Sequence, residues 1–116
     1  MFMYNKCMRY GKLKFINSIT FDISRFGKHK HTLKFPEPVP LYLAVEEVED
    51  WLSEQITEEY FNKIKNDTHF KDFSYEEFMK RRGNTSPNKG EMIRDCIFLE
   101  RINIDKNGNA TIWCGS

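Results

Sequence analysis

The sequence has no long hydrophobic run. Its longest uninterrupted apolar stretch covers residues 41–45, far short of the roughly 20 residues that a membrane-spanning helix requires. Residues 1–10 interrupt their apolar side chains with Asn5, Lys6 and Arg9, so they lack the continuous apolar segment of a secretory signal peptide. We therefore expect a cytosolic protein that makes no membrane contact.

Paired cysteines and local catalytic signatures are also missing. Cys7, Cys96 and Cys114 are odd in number and lack the paired spacing of disulfide frameworks or zinc sites, so we expect free thiols. The sequence contains no glycine-rich phosphate-binding loop and no Cys-x-x-Cys pair. We therefore expect no cofactor and assign no residue as catalytic or as a metal ligand.

Neither sign of charge dominates the composition. The 116 residues include 18 basic and 17 acidic side chains, which excludes a histone-like polycation and an acidic disordered tail. A hydrophobic content of 40% is enough for one core. The length predicts a single globular domain over residues 1–116.

Residues encoded by G/C-rich codons are scarce. The chain has 2 Ala and 6 Gly, against 10 Phe, 10 Ile, 9 Asn and 12 Lys, which A/T-rich codons encode. We hypothesise an AT-rich genome, with a bacteriophage, a mobile element or an AT-rich bacterium as the source.

The first third of the chain has the two-residue periodicity of β-strands. Apolar and polar side chains alternate over residues 12–24 and again over residues 28–35, with a turn at residues 25–28. Only Ile16 and Asn17 break the alternation, which predicts a kink near Asn17. The apolar parity of the first strand includes Leu13, Phe15, Ile19, Phe21 and Ile23. The polar parity of the two strands is rich in lysine: Lys12, Lys14, Lys28, Lys30 and Lys34.

The middle of the chain changes to helical periodicity. Apolar residues recur at three- and four-residue steps over residues 41–55, with carboxylates on the opposite side, and Thr57 caps a second helix that ends near residue 66. Ser74 and Glu77 have the spacing of a capping box for a third helix. Gly83 is expected to end that helix.

Two further segments complete the fold. Residues 83–91 contain no large apolar side chain, which predicts an exposed, mobile loop. At the carboxyl end, a type I turn from Asp105 to Gly108, with Gly108 in the left-handed region, keeps apolar residues opposite each other. The pairs in this register are Ile104 with Ala110, Ile102 with Ile112 and Arg101 with Trp113. Together these patterns predict an α+β fold: an antiparallel sheet built from an N-terminal and a C-terminal hairpin, with about three helices on one face.

Charge is unevenly distributed along the chain. Residues 1–40 carry a net +6, residues 41–60 a net −7 and residues 61–116 a net +2. Segregated charge of this kind suits steered association with a partner. The residues assigned to binding are therefore the acidic Glu46, Glu47 and Glu49 and the basic Arg81, Arg82, Lys89, Lys28 and Lys30.

Three functional hypotheses are compatible with these patterns. The first is a small, non-enzymatic, inhibitor-like protein that occupies a surface of a larger protein. The second is a nucleic-acid or nucleotide binder that uses the lysine-rich strands, although these strands are expected to lack the interleaved exposed aromatic side chains typical of such proteins. The third is a metal-dependent enzyme centred on His29 and His31, which share one strand parity.

Overall fold

The computed structural model describes residues 14–24, 28–81, 87–93 and 98–115. Within them the chain forms an α+β fold, as predicted. The strands are β1 (Phe15–Asp22), β2 (Lys30–Pro40), β3 (Phe98–Ile104) and β4 (Asn109–Gly115), and the α-helices are α1 (Leu41–Leu52), α2 (Glu58–Ile64) and α3 (Tyr75–Arg81). Two short 3₁₀ helices cover Lys65–Asp67 and Lys89–Ile93.

The sheet is mixed, so the prediction of a purely antiparallel sheet is wrong. The strand order is β2-β1-β4-β3. Each hairpin is antiparallel, but β1 and β4, which join the two hairpins in the middle of the sheet, run parallel. Short links favour antiparallel pairing within a hairpin, whereas β1 and β4 are separated by the whole helical segment, which is long enough for a parallel connection.

The predicted break at Asn17 is confirmed, and it changes which side chains face the core. The register of β1 on β2 shifts between Ile16 and Ser18, and both Ile16 and Ile19 are fully buried although they lie three positions apart. Because a regular strand alternates faces at every residue, this irregularity exchanges the inward and outward parity. Phe15 therefore points away from the core and is 62% exposed, which overturns its assignment to the apolar face.

Strand β2 is longer than predicted. The alternation predicts a strand over residues 28–35, but the strand continues through three prolines to Pro40. Because β2 is an edge strand, a missing backbone N–H does not interrupt a ladder on its free side.

The helices pack on one face of the sheet, as predicted, and their buried side chains join those of the inner strands in one core. The helical contribution is Leu41, Ala44, Val45, Val48, Leu52, Phe61, Ile64 and Phe78. The contribution of β1 and β4 includes Ile16, Ile19, Phe21, Ala110 and Ile112.

The predicted helix caps are confirmed. The Thr57 hydroxyl accepts a hydrogen bond from the Tyr60 backbone N–H at 3.1 Å. The Ser74 hydroxyl accepts from the Glu77 N–H at 3.1 Å, and the Glu77 carboxylate accepts from the Ser74 N–H at 3.2 Å. These bonds satisfy backbone donors that have no partner within the helix and so fix where α2 and α3 begin.

The second half of the predicted exposed loop is packed. Pro87 and Gly90 are buried, and the Lys89 backbone N–H donates to the Glu54 carbonyl at 3.0 Å. The expectation of an exposed loop is therefore wrong for residues 87–91, because its small side chains fit against the end of α1 even though they supply no apolar anchor.

The C-terminal turn has the predicted register. Gly108 has a φ of 84°, and its N–H donates to the Asp105 carbonyl at 3.2 Å. The observed pairs are Ile104 with Ala110, Ile102 with Ile112 and Arg101 with Trp113.

Some predicted features lie outside the described residues. They are Cys7, Lys12, Leu13, most of the turn at residues 25–28, Arg82, residues 83–86 and Cys96. Among the helices that the structure describes, none combines the length and the apolar character needed to cross a bilayer.

Candidate binding surfaces

The exposed side of α1 presents one apolar side chain among carboxylates. Leu43, Glu46, Glu47 and Asp50 recur at three- and four-residue spacings, so they lie on one side of the helix. All four are exposed, and Leu43 is one of two large hydrophobic side chains identified as exposed among the described residues, at 38%. No lysine or arginine in the described part of the chain pairs with these carboxylates. These four residues are called the acidic helix surface below.

Glu49, which the sequence grouped with Glu46 and Glu47, has a different environment. It is half-buried and follows Val48 of the core. Burial raises the pKa of the Glu49 carboxyl, and the neighbouring carboxylates of Glu46 and Asp50 raise it further. The structure therefore places Glu46 and Glu47 together on the open side of α1 and Glu49 nearer the core.

The face of the sheet opposite the helices is polar. Strand register aligns its side chains in rows that cross all four strands. The central row is Thr32, Thr20, Thr111 and Asn103, and the flanking residues are Lys34, Ser18, Asn109, Lys30, Asp22, Trp113 and Arg101. Hydrogen bonds at 2.7 Å between the Thr20 and Thr32 hydroxyls and at 2.8 Å between Ser18 and Asn109 link neighbouring strands. These residues form the outer sheet face.

Two aromatic side chains lie at opposite ends of the outer sheet face. Phe15 stands at the end where the β3–β4 turn meets β1. Trp113 stands toward the far end of β4, and the guanidinium carbon of Arg101 lies 4.9 Å from its ring centroid. The expectation of a face without exposed aromatics is therefore wrong, because the irregularity at Asn17 turns Phe15 outward.

Lys28 and Lys30 are both exposed and each has a carboxylate neighbour. The Lys30 ammonium lies 2.7 Å from an oxygen of Asp22, and the Lys28 ammonium lies 3.7 Å from an oxygen of Asp67. Exposed ion pairs are weak because water screens them. The lysine side chains remain open to solvent, with 68% of Lys28 and 46% of Lys30 exposed.

Lys89 is held by aromatic side chains of the helical layer. Its ammonium lies 4.0 Å from the ring centroid of Trp51 and 5.5 Å from that of Tyr60. It also lies 2.6 Å from a carboxylate oxygen of Glu54. Only 15% of the Lys89 side chain is exposed, so its charge serves to fasten the segment after residue 86 to α1 and α2.

The two histidines have separate partners. The Nε2 atom of His29 lies 2.8 Å from an oxygen of Asp67, whereas the His31 ring stacks on Trp51 with centroids 4.3 Å apart. The described residues contain no group of three or more His, Cys, Asp or Glu side chains that could hold a metal ion. The geometry therefore does not bring the pair together as one site.

The environment of His31 favours its neutral form. Burial lowers the pKa of the His31 imidazole, and the ammonium groups of Lys89 and Lys63 lower it further, while Glu54 acts in the opposite direction. A neutral His31 ring also avoids placing a second positive charge beside the Lys89 ammonium, which lies over the same indole of Trp51.

Arg81 and Arg82 complete the residues assigned to binding. Arg81 is the last residue of α3, and Arg82 lies outside the described residues. The sequence prediction missed Leu43 and Phe15. The helical spacing of Leu43 from the carboxylates was visible in the sequence, whereas the outward turn of Phe15 depends on the irregularity at Asn17.

Comparison with known protein families, with curated protein sequences and with solved structures finds no match. A function for this chain is therefore inferred from the chemistry of its two exposed surfaces.

Proposed function

We propose that this chain is a non-enzymatic cytosolic binding protein that occupies a basic surface of a larger protein through its acidic helix surface. The observation that carries the proposal is the exposure of Leu43 beside three carboxylates that have no cationic partner among the described residues. An apolar centre with a polar rim is an arrangement found in protein-binding patches.

The three carboxylates of the acidic helix surface lie in a stretch of the chain that carries charge of one sign. The stretch of residues 41–60 has no lysine or arginine, and its net charge is −7. Uncompensated charge of one sign accelerates encounter with a surface of the opposite sign and excludes partners of the same sign. The patch therefore favours a partner with a basic surface and a small apolar pocket.

The shape of the patch favours binding over catalysis. The acidic helix surface is the outside of a surface helix and is therefore convex, whereas small-molecule sites are concave. A convex patch fits a groove or a flat surface on a larger molecule, as expected of an inhibitor-like protein.

Affinity capture with a charge-reversed variant tests the proposal. The chain carrying Glu46→Lys, Glu47→Lys and Asp50→Lys should lose the partner that the parent retains from extracts of its native host at low salt. A matched control carries Glu37→Lys, Asp72→Lys and Glu76→Lys, three exposed carboxylates elsewhere, and makes the same change in net charge. Equal retention by the two variants, both with parental thermal stability, would contradict the proposal.

We also propose that the gene belongs to a phage or mobile element, for which the support is the residue usage of the chain. The GC content of the gene tests the AT-rich source, and the genes that flank it distinguish a phage or mobile element from an AT-rich bacterium. An AT-rich gene agrees with the proposal, and a GC-rich gene contradicts it.

A further inference from the structure

The outer sheet face carries a charge opposite to that of the acidic helix surface. Lys30, Lys34 and Arg101 project from it and are exposed, and no described carboxylate pairs with Lys34 or Arg101. Asp22 lies next to Lys30. The face therefore has a surplus of cationic groups on a polar background.

Asp105, at the edge of this face, is occupied by its own turn. Its carboxylate accepts from the N–H groups of Asn107 at 2.8 Å and Asn109 at 3.0 Å. These hydrogen bonds hold the pKa of Asp105 below its usual range. The carboxylate therefore stays ionised within its turn and offsets one cationic group at that edge, which leaves the face with a smaller cationic surplus.

The aromatic side chains have the placement that base stacking needs. Phe15 is 62% exposed at one end, and Trp113 is partly exposed with Arg101 beside it at the other. The register of β1 and β4 ends at Thr20 and Thr111, and two more residues along β4 bring the chain to Trp113. The two rings are therefore about seven residues apart along the strands, or roughly 20 Å. Between the two rings lie the short hydroxyl and amide side chains of the central row, which leave room for an extended polymer chain to lie across the face.

We propose that the outer sheet face binds single-stranded nucleic acid, as a site separate from the acidic helix surface. Phosphates contact Lys30, Lys34 and Arg101, while unpaired bases stack on Phe15 and Trp113. Cationic side chains that follow a backbone and aromatic platforms that accept any base are the general means of binding single strands. A duplex fits less well, because paired bases cannot leave their stack to reach the two rings.

The test is fluorescence anisotropy with a labelled oligothymidylate of about 12 nucleotides, a length within the usual range of single-strand sites. The parent should bind at low salt, and Phe15→Ala or Trp113→Ala should each weaken binding by about fivefold or more. The logarithm of the association constant should fall with the logarithm of salt concentration with a slope of about −2 for three phosphate contacts. Lys34→Ala should make that slope shallower by about 0.7.

Matched controls lie on the other side of the molecule. Leu43→Ala removes an exposed apolar side chain, and Lys71→Ala removes an exposed lysine, both away from the outer sheet face. Neither variant should change binding of the oligonucleotide. Leu43→Ala should instead weaken capture of the protein partner, so failure of either proposal can be recognised independently of the other.

Any one of three binding results, or a fourth result from competition, would overturn the inference. The first is that the parent does not bind the oligonucleotide at low salt. The second is that folded Phe15→Ala and Trp113→Ala variants bind it with the parent's affinity. The third is that the parent binds a duplex of the same length as tightly as the single strand. Polyglutamate that displaces the labelled oligonucleotide as well as unlabelled oligothymidylate does would also overturn the inference. That result would show that the face attracts any polyanion, including an acidic protein.

Discussion

The backbone N–H of Asn17 donates to the carbonyl oxygen of Gly108 at 2.7 Å, and this bond joins the first hairpin to the last. The side-chain amide of Asn17 also donates to the Asn107 carbonyl at 2.6 Å. Parallel pairing begins at the next residue, where Ser18 lies opposite Asn109. The irregularity in β1 and the turn between β3 and β4 thus form one junction.

Gly108→Ala should destabilise the protein by about 1–2 kcal/mol, as measured by chemical denaturation. Gly108 has a φ of 84°, which residues that carry a side chain rarely adopt, and an added Cβ atom would lie 2.7 Å from the Asn17 side-chain nitrogen. The exposed neighbour Lys106 has no positive φ, so Lys106→Ala should change stability by less than about 0.5 kcal/mol. An unchanged free energy of unfolding for Gly108→Ala would contradict this description of the junction.

The junction shows how far the sequence could be interpreted. Pairing apolar with apolar was enough to select the register of β3 on β4, and two residues that broke an alternation located the irregularity at Asn17. The parallel contact between β1 and β4 could not be predicted, because it depends on hydrogen bonds between residues about 90 positions apart. The exposure of Phe15 follows from the irregularity at Asn17: the broken alternation located the break but did not show that the strand exchanges its faces there.

Lys89→Met should reduce stability by about 1 kcal/mol or more, and Glu54→Gln by only a few tenths. Both side chains belong to the same ion pair, but Glu54 is 58% exposed and Lys89 only 15%. Water therefore screens the ion pair, whereas the contact between the ammonium and Trp51 is largely desolvated. A double-mutant cycle combining Lys89→Met with Trp51→Leu measures that contact. Equal losses for Lys89→Met and Glu54→Gln would show that the ion pair is the main interaction.

The stability of the protein should depend on His31 below about pH 6.5. The folded-state pKa of His31 lies below its ordinary value of 6.5. Just below pH 6.5, therefore, the His31 ring takes up a proton in the unfolded chain but stays neutral in the folded protein. The stability that comes from keeping His31 neutral is fully present above about pH 6.5, and it decreases as the pH falls from 6.5 toward the lower folded-state pKa. His31→Gln should show a smaller decrease in the free energy of unfolding between about pH 7.5 and pH 5.5, and a decrease equal to that of the parent would contradict the assignment.

NMR titration of the imidazole separates the causes of this shift. Because the ammonium of Lys89 is one of the groups that lower the His31 pKa, Lys89→Met should move that pKa upward. Lys71→Met, at an exposed lysine that is not among the charges acting on His31, should leave it unchanged. An unchanged pKa in Lys89→Met would show that Lys89 does not act on the ring.

The candidate surfaces were only partly visible in the sequence. The acidic side of α1 could be located because helical spacing alone determines it, and Glu46 and Glu47 are exposed as that spacing implies. The role of Lys89 could not be predicted, because its aromatic partners come from α1 and α2 and its own segment lacks the apolar residues that normally indicate packing. The partial burial of Glu49 likewise depends on tertiary contacts that a helical pattern does not contain.

Site-specific photocrosslinking at Leu43 tests the central claim most directly. A photoreactive phenylalanine analogue at Leu43 should give one discrete adduct in the native host, and mass spectrometry should identify a larger protein whose crosslinked surface is basic. The same analogue at Asn62, an exposed position on α2, should give no such adduct, and Glu46→Lys with Glu47→Lys should abolish the adduct at Leu43. No adduct at Leu43, or the same adducts at both positions, would contradict the acidic helix surface as the site of partner binding.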